Sequence, residues 1–371
     1  MKISSLQSYH IKNITPQIKK NNSAGNYFTN SARASYPSNY YLPFCGVKAI
    51  RFEKAKSIAE AKDFGRRVLG IATYEDFSDD SLDVINYINE GLVAAKNNSR
   101  TKQKLPRYIN LRPLKNIQMC TRFFGGGQVD VSSNIYGAKG INEEIKRIFS
   151  ELQKDGVISK TSLNKGIATP QTKALFEKLN KQYSNLENLT YDEKIELYNG
   201  IRVLYERTSQ LNRFPMDLIT KMFEAGCWGE FDESDIELFK LELAQAAEGE
   251  NFSTLYKFLK EYDSLNFRIN NDNFRHKTLF HEIGHLQDWD IFLLPSAGEF
   301  NGYDFYNKEM KEWVNDKSAM RAAFEVSPYA CYGAPEFIAE AYAWLLEGKQ
   351  LPEAAEKLYK RLGGPKVVFK W

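Results

Sequence analysis

The segment LFHEIGHLQDW, residues 279–289, places two histidines four positions apart, with a glutamate directly after the first. A helix turns about 100° per residue, so His281 and His285 share one face and can put two imidazole nitrogens on a single ion. Glu282 sits beside the first histidine and leans over the vacant coordination position. A zinc hydrolase needs this arrangement: two ligands, and a carboxylate to take the proton of a bound water. The chain has only four histidines, His10, His276, His281 and His285. A chance HExxH is then expected on the order of a few times per thousand such chains, which sets the false-positive risk of the match. Leu279, Phe280, Ile283 and Leu286 make the flanks apolar, as a buried helix requires. Gly284 has no side chain, which would let another strand or loop pass close. His276, five residues before His281, falls on a different face and reads as a helix-start or supporting residue.

Catalytic zinc normally takes three protein ligands and a water. An HExxHxxGxxH pattern would need glycine at 288 and histidine at 291, where this chain has Asp288 and Ile291. Asp304, in NGYDFYN, is a loose second candidate. The third is SPYACYGAPEFIAEAYAWLLEG, residues 327–348. Pro335 suits the first turn of a helix, and Glu336 falls in that turn. Glu336 and Glu340 share a face, and their neighbours are almost wholly apolar. Two carboxylates on such a helix are costly to bury unless something pairs with them. Glu336 is therefore assigned as the third ligand, with Glu340 one turn behind it orienting a ligand histidine.

These residues resemble the gluzincin metallopeptidases of the anthrax lethal factor type. HEIGHLQDW, then Tyr329, then Glu336 inside EFIAEAYA, is similar to that family's HExGHxxD and YxxxxxxEFxAEAF segments. The likeness covers roughly residues 275–345. It implies one zinc per chain on His281, His285 and Glu336, with Glu282 as general base. It also implies that Tyr329 donates its hydroxyl to the developing oxyanion. Tyr332, in the same loop, is the alternative donor. Asp288 matches the acidic residue after the metal helix, and Glu340 matches the family's second glutamate. The expected activity is hydrolysis of peptide bonds in a protein or peptide substrate. Two other readings stand beside it: a non-catalytic zinc-binding interaction module, and a zinc hydrolase of a non-peptide substrate.

The rest of the 371-residue chain frames this site. A net charge of +3 gives no argument for nucleic acid or an anionic membrane as partner. No run of 18 apolar residues occurs, so no transmembrane helix is expected. Lys2 is not followed by an apolar run, so no standard secretory signal is expected; cytosol, or export by a signal-independent route, remains. Four scattered cysteines make a disulfide framework unlooked-for. Residues 1–48 contain no acidic residue but carry Lys2, Lys12, Lys19, Lys20, Arg33 and Lys48, and read as a flexible basic leader. A short strand is expected near YYLPFCGVKAIRF.

Residues 49–371 are expected to form one zincin-like catalytic domain, α+β but mostly helical, with a small mixed sheet. Its metal-binding core is 275–345, and a helical insertion spans about 141–270. FEKAKSIAEAKDFGRRVLG reads as a helix ended by Gly70, and DDSLDVINYINEGLVAAKNNS as a helix capped by Asp79 or Asp80. PRYINLRPL reads as a strand. GGGQVDVSSNIYG alternates over Gln128–Ser132, which predicts a half-exposed edge strand able to pair with an extended peptide. Helices are also expected near 307–324, 335–347 and 352–361, with a short strand closing the chain.

Overall fold

The computed structural model describes residues 49–99, 103–115, 117–122, 126–154, 170–208, 216–227, 229–249, 275–292, 312–313 and 315–367. The basic leader, Asp304, the helix expected at FSTLYKFLKEYDSL and the last four residues lie outside them. Helix α1 (Ile58–Phe64) continues as a π turn to Leu69 and stops at Gly70, whose φ of 81° suits a residue without a side chain. A short strand, β1 (Thr73–Glu75), follows. Helix α2 (Leu82–Asn98) begins after a 3-10 turn, Asp79–Ser81. Asp79 and Asp80 lie inside that turn rather than capping α2, so their charges meet the helix N-terminus through its dipole alone.

The sheet then completes with β2 (Tyr108–Arg112), β3 (Met119–Arg122) and β4 (Gln128–Ser132), in the spatial order β1-β2-β4-β3. β2 runs parallel to both β1 and β4, and β3 pairs antiparallel with β4. The fold is thus α+β, mostly helical, with a small mixed four-stranded sheet. The expected edge position of Gln128–Ser132 is corrected: β4 is interior, and β1 and β3 are the end strands among the described residues. The period of two is real but separates two covered faces. Val129 and Val131 enter the apolar core, while Asp130 points the other way and is fully buried. Its carboxylate is met by Arg122 Nε at 2.6 Å and Asn110 Nδ2 at 2.9 Å.

The remaining helices are α3 (Ser133–Tyr136), α4 (Gly140–Lys154), α5 (Pro170–Tyr183), α6 (Tyr191–Thr208), α7 (Met216–Glu224), α8 (Glu233–Gly249), α9 (Lys277–Phe292), α10 (Lys317–Phe324), α11 (Ala334–Leu346) and α12 (Glu353–Arg361). The described part of 141–270 does not form one layer. Ile141, Ile145 and Phe149 of α4 and Ile195 and Tyr198 of α6 join the core under the sheet. Leu218, Met222 and Phe223 of α7 and Phe239 of α8 join a second core with α10, α11 and α12. α11 belongs to both: Phe337 and Ile338 face the second core, Tyr342 and Leu346 the first. Residues 363–367 carry no strand. Among the described residues, no helix is long and apolar enough to cross a membrane.

Candidate metal centre

α9 lies between the apolar face of the sheet with α2 and the flank of α11. Leu279, Phe280, Ile283 and Leu286 all enter the sheet-side core, which turns the opposite face of α9 toward α11. The chain passing Gly284 is this second helix rather than a strand or loop. A Cβ at 284 would stand 2.8 Å from Ala339 Cα and 3.1 Å from Ala339 O. Glycine at 284 and alanine at 339 therefore set how closely the two helices approach. The helices run in opposite senses, since His285 meets Glu336 while Lys277, two turns earlier on α9, meets Glu340.

That approach brings the expected ligands together. His281 Nε2 is 3.2 Å from Glu336 Oε2, His285 Nε2 is 3.4 Å from the same oxygen, and the two Nε2 atoms are 3.1 Å apart. Among the described residues, His281, His285 and Glu336 form the group able to hold a metal ion, their donor atoms all within 4.8 Å. Glu336 Oε2 is buried, and no donor meets it in hydrogen-bond geometry. A buried carboxylate oxygen aimed at two imidazole nitrogens without a proper hydrogen bond fits a ligand set closing on a cation. Two nitrogens and one oxygen suit a divalent transition-metal ion.

Electrostatics point the same way. Burial works to raise the Glu336 carboxyl, but His285 and His281 pull it well below the usual range. Burial works against a charged His281, yet Glu336 and Glu340 push it up to about 10. Behind the set, His281 Nδ1 lies 2.8 Å from Glu340 Oε1, a close contact outside hydrogen-bond geometry. The other Glu340 oxygen is 3.2 Å from Lys277 Nζ.

Glu282 is buried, and its side chain reaches β3. Thr121 Oγ1 of β3 lies 2.7 Å from Glu282 Oε2 and 3.0 Å from the Glu282 carbonyl oxygen. Tyr329 opens a 3-10 turn, Tyr329–Tyr332, just before α11. Its ring centre is 5.7 Å from that of His281 and 5.2 Å from that of Tyr332, and the residue is 38% exposed. Asp288 lies on α9, but its side chain falls outside what is described. His276 is not part of the metal group. Its ring is buried, 4.7 Å from that of Tyr87, with Nε2 3.6 Å from Glu90 Oε2. Burial lowers its pKa ahead of the opposing pull of Glu90.

Two residues beside the site escape a reading of the sequence: Thr121 and Lys277. Lys277 had a signal, since 277, 281 and 285 form one row at helical spacing. Thr121 had none, because its partner is set by packing. Set against protein families, curated proteins and solved structures, the chain matches none of them.

Proposed function

We propose that this chain is a zinc-dependent metalloendopeptidase acting on a protein or peptide substrate. One observation carries the reading: a partly buried His–His–Glu set lies next to a further carboxylate, Glu282, that is held separately by the sheet. The likeness of residues 275–345 to the lethal factor-type gluzincins supports the same division of labour. Zinc on His281, His285 and Glu336 would polarise a scissile carbonyl and acidify water. Glu282 takes the proton of the attacking water and returns it to the leaving amine. Thr121 Oγ1 stands 2.7 Å from Oε2 and 3.0 Å from the Glu282 carbonyl oxygen, which holds the carboxylate in place for that transfer. The Tyr329 phenol donates to the oxyanion of the tetrahedral intermediate.

β3 supports a way for the substrate to bind. An end strand offers unpaired backbone groups to an extended peptide. Thr121 belongs to this strand, so a peptide paired along β3 would pass beside Glu282. The docking role expected of Gln128–Ser132 thereby moves one strand outward.

Peptide-library cleavage tests the reading. Wild type loaded with zinc should cleave, and Glu282→Gln should keep its zinc but not cleave. Tyr329→Phe should lose about 100- to 1000-fold in kcat, the usual cost of removing an oxyanion donor. Zinc-loaded wild type that cleaves no peptide would overturn the peptidase reading in favour of a zinc-binding interaction module. Hydrolysis confined to other acyl compounds would turn it toward a non-peptide hydrolase.

A further inference from the structure

We infer that Lys277 is a positioning residue of the metal centre, holding Glu340 against His281. The inference rests on the metal-binding reading above, but not on the reaction catalysed.

Glu340 is one of the few buried carboxylates in the described chain, 4% exposed on a helix whose neighbours are apolar. A buried carboxylate keeps its charge only where its oxygens are met. Oε1 faces His281 Nδ1 at 2.8 Å, and Oε2 faces Lys277 Nζ at 3.2 Å. Lys277 stands one helical turn before His281, so the ammonium and the ligand imidazole approach Glu340 from the same face of α9. Lysine here is a single point charge on a flexible stem, able to neutralise the carboxylate without entering the ligand set.

A ligand histidine's outer partner fixes its ring orientation, and loss of such support typically lowers metal affinity 10- to 100-fold.

The test is zinc affinity by chelator competition on the full chain, comparing wild type with Lys277→Met and Lys277→Arg. Lys277→Met should bind zinc 10- to 100-fold more weakly, and Lys277→Arg should recover most of that loss. A purely structural lysine would lower the melting temperature of the zinc-free chain but leave zinc affinity unchanged. If Lys277→Met does not fold, Lys277→Gln takes its place in the comparison. Equal zinc affinity in all folded chains overturns the inference while leaving the metal centre standing. A wild type that binds no zinc overturns both.

Discussion

At the scale of single residues, the site divides into groups whose roles follow from spacing and groups whose roles follow from contact. His281, Glu282 and His285 were legible because three positions on one helix fix their own geometry. Glu336 and Glu340 were legible because charge on an apolar helix demands a partner. Thr121 was not, since it meets Glu282 across 161 positions and lies in a strand that its mixed residues, Met119 to Arg122, did not announce. Thr121→Val tests its role while keeping the shape of the side chain. The Glu282 carboxylate loses a charge-assisted hydrogen bond, typically about 1.5–3 kcal/mol. Peptide turnover should fall roughly tenfold or more with zinc content unchanged, as steady-state kinetics beside elemental analysis would read. Unchanged turnover would remove Thr121 from the machinery.

At the scale of elements, the decisive contact is between α9 and α11. The sequence offered each helix separately; Gly284 showed only that something passes close, and the structure adds Ala339 opposite it. Gly284→Ala puts a methyl against the Ala339 backbone, which cannot swing aside as a side chain can. Overpacking of that kind costs about 1–3 kcal/mol. A lowered melting temperature should come with weaker zinc binding, because Glu336 moves away from both histidines. A full-affinity Gly284→Ala chain would show that the crossing tolerates more separation than these distances allow. The C-terminal end of α11 supplies a pH test. Burial raises Glu347 to about 7, with Lys349 opposing, and the helix C-terminus disfavours its negative charge. Its folded value exceeds the ordinary 4.5, so its contribution to stability is present below 4.5 and lost as pH rises through about 7. Wild type should therefore lose melting temperature relative to Glu347→Gln between pH 5 and pH 8. Parallel melting curves across that range would show that the carboxyl is solvated.

The strands teach the opposite lesson. Alternation over Gln128–Ser132 gave β4 correctly but placed it wrongly, because a polar residue at every second position marks a solvated face only if no partner neutralises it. Asp130 has such partners in Arg122 and Asn110. β1 has three residues and β3 four, too few for a period to register.

At the scale of the whole molecule, α11 is the joint between two hydrophobic cores, and the metal group sits where it meets α9. A metal that binds only the folded chain stabilises it by about 4 kcal/mol at a thousand times its dissociation constant. Zinc should raise the melting temperature of wild type and leave that of Glu336→Gln unmoved. The mostly helical α+β class was readable from helical spacing along the chain. The division of the helices between two cores was not, because amphipathic spacing says which face is buried and never against what.

The most direct measurement is zinc per chain, by elemental analysis, in purified wild type, Glu336→Gln and Glu282→Gln. One zinc in wild type, loss in Glu336→Gln and retention in Glu282→Gln are expected, because Glu336 closes the ligand set and Glu282 is held apart by Thr121. Full zinc in Glu336→Gln, or none in wild type, would contradict a metal centre built from His281, His285 and Glu336.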